Sequence, residues 1–366
     1  MRIPNDKLDH GITRRILVWC LFFLICFGLG YQSVARYDPR ALAAIYDTKA
    51  YYGLVVGAIG PEFSEYSHRL LVPYVAKPFY LLARGRIGTW DPVFFGLLVS
   101  NSLFYATAAL LMVDIGYAVL GNYTTALLGS MLYMLNFAAV NFHLAGLVDS
   151  AQAFLMTAII RTLFAQRWHW LPLWGFIAAF TKETSVALGV TFALGWWLSE
   201  SVERGFRRSK FFWILAMGMV GSVTLMVLMS KVSVYSPWTF AASQKGDAGF
   251  FTGALRCFLN HNFVYVFAWL LPLGLPRLRV FSRHWIAGSV AGVMASVAMG
   301  AYSDAAGNSV RPMFNVLGPL LTLSTATLLT CQQVSKGSRP ARNDAREHSL
   351  ATEATELCAF RSEVSP

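Results

Sequence analysis

The chain has 366 residues, of which 56% are hydrophobic and only 13% charged, with a formal net charge of +11. A soluble domain carries about 25% charged residues, so this balance excludes an ordinary soluble enzyme and points to a polytopic membrane protein. The excess positive charge sits in short loops and tails rather than on a domain-wide basic face, which argues against a nucleic-acid partner. The five cysteines, an odd number, show no disulfide or metal-type spacing and read as small apolar fillers.

A membrane span needs about 20 apolar residues. In chain order the candidates are 16–34, 92–117, 124–142, 147–165, 169–182, 184–199, 211–231, 259–276, 284–301 and 312–331. They predict an all-α, polytopic transmembrane bundle of about ten spans over residues 1–332, then a disordered cytosolic tail over 333–366. The stretches 169–182 and 184–199 are short and weakly separated, so eight or nine spans stay open. Arg14-Arg15 before the first apolar run and Ser33-Val34-Ala35 after it also suit a secretory signal. The run is long for one, and it is read as an uncleaved first helix.

Residues 35–91 form a long first loop, and 232–258 another. Asp38-Pro39 and Asp91-Pro92 each place an N-cap Asp before Pro at the first helical position. A helix is therefore predicted from near 39, and a span from 92. Residues 40–58 read as an interfacial helix. Residues 68–83, apolar but interrupted by Pro73, Lys77 and Pro78, suit a helix lying on or dipping into the outer leaflet.

Orientation follows from Lys and Arg. They gather at the N-terminus (Arg2, Lys7, Arg14, Arg15), in 200–210 (Arg204, Arg207, Arg208, Lys210), in 277–283 (Arg277, Arg279, Arg283) and in the tail. Ten spans put all of these, and both termini, in the cytosol, as in a bacterial inner membrane protein. Eight further ionisable residues, Asp47, His68, Arg69, Asp149, Lys182, Glu183, Asp304 and Arg311, then fall at the opposite, outward face. Charged groups at membrane depth are costly and mark a polar cavity or site.

Each of these residues has a functional and a plain reading. Asp47, in IYDTKAYY, is a candidate general base or metal contact, or an interfacial acid near a helix start. Arg69, after His68, can hold a phosphate or anchor at the headgroups. Asp149 and Gln152 have capping-box-like spacing, while Asp149 is also a candidate site residue at a helix N-terminus. Lys182-Glu183 lies between two apolar stretches with no polar loop to house it. Neighbours on a helix do not face each other, so an internal salt bridge is poor. Lys182 is the candidate phosphate ligand of that pair, and Glu183 is read as orienting a partner. Arg311 precedes Pro312, the predicted first residue of the last span, where it opposes the helix dipole and needs an anion such as a phosphate or Asp304. No Walker, HExxH, GxSxG or dinucleotide-binding motif is present.

The order of YDTKAYY, HRLLVPYV, AGLVDSAQAF and TKETSVALG resembles the GT-C superfamily of membrane glycosyltransferases over roughly residues 16–320. It is closest in pattern to the glycolipid-anchor mannosyltransferases and their bacterial relatives. The resemblance implies a polyprenyl-phosphate-sugar donor, membrane-lipid surroundings, and transfer to a glycan, lipid or protein acceptor outside the cytosol. It implies that Asp47 is the first-loop acid and that Lys182 and Arg311 hold the donor phosphate; together with the reading of the residues themselves, Asp47 and Glu183 are the candidate catalytic carboxylates, and His68, Arg69, Asp149, Lys182, Asp304 and Arg311 the candidate substrate- or phosphate-binding residues. A divalent metal on Asp47 is compatible, although the chain lacks the paired acids many members carry in the first loop. Competing classes are a transporter or flippase, a polysaccharide polymerase or ligase, and a non-catalytic assembly partner.

Overall fold

The computed structural model describes residues 12–35, 46–58, 66–88, 90–232, 245–246, 249–303 and 306–337. Every regular element among them is helical. The longer helices are α1 (Ile12–Ala35), α2 (Tyr46–Val56), α3 (Leu71–Ala83), α4 (Pro92–Leu120), α5 (Tyr123–Met134) and α6 (Asp149–Phe164). They continue as α7 (Leu171–Thr181), α8 (Glu183–Arg204), α9 (Arg208–Val232) and α10 (Phe250–Leu259), then α11 (His261–Phe267), α12 (Leu270–Gly274), α13 (Arg283–Tyr302) and α14 (Ala306–Gly337).

Among the described residues, six stretches are long and apolar enough to cross a membrane: Ile12–Gln32, Pro92–Leu120, Arg208–Lys231, His261–Val280, Arg283–Tyr302 and Ser309–Thr330. The chain is thus an all-helical protein of multi-pass membrane character. The other four predicted spans are helical but differ in kind. The 124–142 candidate breaks after Met134 and resumes as a π-helical turn over Ala139–His143. The 147–165 and 169–182 candidates become helices of 16 and 11 residues, below the usual spanning length of about 17–25. The 184–199 candidate becomes the 22-residue α8, more polar at both ends.

Other expectations are met or moved. Asp91 caps α4, accepting from the Val93 and Phe94 amides, with Pro92 in the first turn. The Asp38-Pro39 start and the predicted helix before residue 46 lie outside the described residues. The last helix begins at Ala306, so Pro312 lies within it and Arg311 stands past its first turn. Pro312 and, further on, Pro319 both lie inside this helix, where each removes one intrahelical hydrogen bond. The same helix runs on to Gly337, into the predicted tail; residues from 338 lie outside the described residues.

Side-chain contacts fix the helix directions. Arg15 meets Asp114 while Tyr31 stacks near Trp90, so α1 runs antiparallel to α4. Asn101 bonds Ser150 and Phe104 packs on Phe154, so α6 runs parallel to α4. Trp174 donates to Thr162, returning α7 antiparallel to α6, and Phe164 against Trp196 places α8 parallel to α6 again. α1 packs as a member of the bundle: Phe22 and Cys26 are fully buried, and Trp19 donates to Thr107. These directions sort the chain by end. One end holds the basic turns, with Lys210 on Glu200 and His284 beside Glu203. The other holds Asp149, Lys182, Glu183 and Arg311.

The contact between α3 and α4 presents His68 and Arg69 to that second end. It depends on Gly96, where a Cβ would stand 2.6 Å from the Ala76 carbonyl oxygen and 3.0 Å from the Tyr80 nitrogen. Gly96→Leu is expected to force α3 off α4 at a cost of about 1–3 kcal/mol or more. Thermal unfolding in detergent checks this; an unchanged midpoint would mean α3 does not dock there.

Candidate functional site

The site is organised by one residue of extended backbone. α7 ends at Thr181, Lys182 takes φ −170° and ψ 142°, and α8 begins at Glu183. This break sends the two neighbouring side chains in different directions. Lys182 reaches Asp149, Nζ to Oδ1 3.5 Å, while Glu183 reaches His68 and Arg69.

The Glu183 cluster is closely bonded. Arg69 grips both carboxylate oxygens, Nη2 to Oε1 at 2.7 Å and Nε to Oε2 at 3.0 Å, a bidentate pair of the strong kind. His68 Nε2 lies 2.9 Å from Oε2. The remaining Arg69 arm, Nη1, donates to the Tyr51 hydroxyl at 2.9 Å, and the guanidinium lies over the Tyr66 ring. His68, Arg69 and Tyr51 are buried. Burial alone would push the Glu183 carboxyl up. The Arg69 charge and the His68 hydrogen bond outweigh it and hold the group well below the usual range. Asp47, half-buried on α2, stands near enough for its charge to act on Arg69 and Tyr51.

The Asp149 cluster is looser. Arg311 Nη1 stands 3.4 Å from Oδ2 and Lys182 Nζ 3.5 Å from Oδ1. Asp149 is 1% exposed, yet its Oδ1 has no hydrogen bond, and the buried Nε of Arg311 also has none. Arg311 rests on the Phe142 ring of the π-turn. Among the described residues, two cations therefore face one carboxylate. The expected capping box is not formed. Asp149 is the first residue of α6, its side chain caps nothing, and Gln152 bonds Thr184, Ser185 and Asn315 instead. The carboxylate is drawn off by Lys182 and Arg311, which offer full charges where the helix end offers partial ones.

Seven of the eight sequence candidates thus lie in one connected region; the eighth, Asp304, lies outside the described residues. The sequence reading missed His143 and Asn315, both buried, and gave Gln152 only a capping role. The available signal was a polar side chain inside an apolar stretch. Glu183 is taken on both oxygens, Asp149 faces two cations, and no group of three His, Cys, Asp or Glu side chains gathers among the described residues. Compared with known proteins, the chain matches no family model and no curated relative.

Arg69→Ala would leave the Glu183 carboxylate without its main partner. The expected cost is about 3–5 kcal/mol of stability, as for other broken buried pairs, read as a lowered unfolding midpoint in nanodiscs. The depressed Glu183 ionisation has an acid limb. Its contribution is full above the unfolded value of about 4.3 and fades as pH falls below that toward the lowered folded value. Glu183→Gln should flatten this part of the stability profile; an unchanged acid limb would refute the assignment.

Proposed function

We propose that the protein is a membrane glycosyltransferase of GT-C type. In this reading it moves a sugar from a polyprenyl-phosphate donor to a glycan, lipid or protein acceptor on the outward face of a bacterial inner membrane. The bundle is threaded about ten times, with both termini and the basic turns in the cytosol. The observation that carries the reading is the convergence of Lys182 and Arg311 on the single buried carboxylate of Asp149, at the same end as Asp47. The surplus positive charge, in a setting of low dielectric, favours an added anion such as a phosphate leaving group. Both cations are partly exposed and make long contacts, so each keeps donors for a ligand.

Roles divide accordingly. Lys182 and Arg311 meet the donor phosphate and stabilise the charge that develops as the sugar–phosphate bond breaks. Asp149 offsets one of their two positive charges. Asp47, whose carboxylate is half-buried, takes the proton of the acceptor hydroxyl as it attacks the anomeric carbon. Glu183, committed to Arg69 and His68, is poorly placed to act as a base and instead orients Arg69 toward Asp47 and Tyr51. Charge compensation comes from these side chains, and no step is assigned to a metal.

The test is a profile of lipid-linked sugars and surface glycans in cells lacking the gene, complemented with wild type or variants. Asp47→Ala should cut transfer about 10²–10⁴-fold, and Lys182→Met or Arg311→Met should raise KM for the donor. Each should leave a lipid-linked sugar accumulated and one sugar missing from the product. Full complementation by Asp47→Ala removes the base assignment. An unchanged profile without the gene removes the transferase reading and favours transport.

A further inference from the structure

Beneath the ionic residues lies a second layer of uncharged polar groups, carried by the same helices. Gln152 follows Asp149 by one turn on α6, Asn315 follows Arg311 by one turn on α14, and Thr184-Ser185 follows Lys182-Glu183 at the start of α8. These groups form one chain. Gln152 Nε2 donates to Ser185 Oγ at 3.1 Å and to Thr184 Oγ1 at 3.3 Å. Asn315 Nδ2 donates to Gln152 Oε1 at 3.0 Å. His143 Nε2 lies 2.8 Å from Asn315 Oδ1, and its Nδ1 lies 3.0 Å from the Ala138 carbonyl oxygen. His143, Gln152, Ser185 and Asn315 are all fully buried.

Nδ1 faces a carbonyl and therefore carries a proton. A protonated ring then also donates at Nε2. A neutral ring keeps the same heavy-atom chain with the two side-chain amides turned over. The connection from the π-turn to α14, α6 and α8 thus persists in either state. The π-turn holds α14 at two levels, with Phe142 under Arg311 and His143 on Asn315 one turn deeper. Single-turn π segments inside helical proteins often mark functional sites.

We infer that His143, Asn315 and Gln152 are positioning residues that lock α6, α8 and α14 in register, so that Lys182 and Arg311 are held on either side of Asp149. The long ionic contacts of 3.4 and 3.5 Å are too weak to set that spacing themselves. The buried amide chain sets it, because slipping any one helix strands polar groups in an apolar interior. The consequence for phosphate affinity rests on the proposed function; the register does not.

The experiment uses the full chain in nanodiscs and has two arms. The first is a thermal-stability cycle of Asn315→Leu with Ser185→Ala, two uncharged changes on different helices that meet only through Gln152. The expected result is non-additivity: once Asn315 is lost, removing the Ser185 hydroxyl lowers the midpoint much less than it does alone. Additive losses would overturn the inference. The second arm measures farnesyl phosphate affinity in His143→Phe and His143→Gln. Phe keeps the stack of residue 143 on Tyr105, now at 4.5 Å and 13°, but cannot bond Asn315; Gln loses the stack and keeps an amide.

Positioning predicts that His143→Phe loses affinity about tenfold or more while His143→Gln stays near wild type. The opposite order, or losses that merely follow the unfolding midpoints, would mean the histidine serves packing and would overturn the inference. If wild type itself does not bind farnesyl phosphate, the phosphate reading of Lys182 and Arg311 fails. The stability cycle then decides the register by itself.

Discussion

The site depends on a constraint of backbone geometry: two opposite charges adjacent in sequence cannot satisfy each other along a helix. In Lys182-Glu183 the helix is interrupted between them, and each charge is delivered to a different partner. Glu183 ties the first loop, through His68 and Arg69, to the start of α8. Lys182 ties the same point to α6, through a carboxylate shared with α14. One residue of extended chain thus joins segments more than a hundred positions apart in sequence.

The two ends of the bundle place their longer ionic contacts differently. At the basic end Lys210 Nζ lies 2.6 Å from Glu200, 2.7 Å from Gln166 and over the Trp168 ring, and Arg15 lies 2.6 Å from Asp114, while the longer pairs there, Arg204–Glu200 at 3.3 Å and His284–Glu203 at 3.4 Å, each include an exposed side chain. Such pairs fasten helix ends whose carbonyls and charges would otherwise lie near lipid. At the other end the Arg69–Glu183 fork is equally short, but the Asp149 contacts are about an ångström longer than the tightest of these pairs. A short pair is complete; a long one between partly exposed cations and a buried carboxylate leaves bonding capacity unused. On the proposed function, the division between the two clusters is one between support and an opening for a ligand.

Much of this was legible in sequence. The apolar runs located α1, α4, α9, α13 and α14, and Asp91-Pro92 marked its helix start. The shared end of Asp149, Lys182, Glu183 and Arg311 followed from counting spans against basic turns. The partnerships did not follow, because pairing Arg69 with Glu183 or Arg311 with Asp149 is decided by long-range packing that a single chain does not display. Asp149 with Gln152 shows how a local rule misleads. The spacing suits a cap, but stronger partners from the α7–α8 junction, α8 and α14 take both side chains. The break after Met134 was missed because 135–142 is nearly as apolar as the helix it interrupts, whereas the turn at 143–146 and the basic stretch from Arg277 were expected.

The extended conformation of Lys182 has an evolutionary corollary. With a connection one residue long, there is no slack to absorb a change in length. Adding or deleting one residue in the last turn of α7 would rotate the chain that follows by about 100°, turning Glu183 away from Arg69 and Ser185 away from Gln152 together. Divergence at this corner must then proceed by exchange of side chains at constant length. A gap-free alignment across 178–186 is thus a more telling mark of descent than identity of any single residue there.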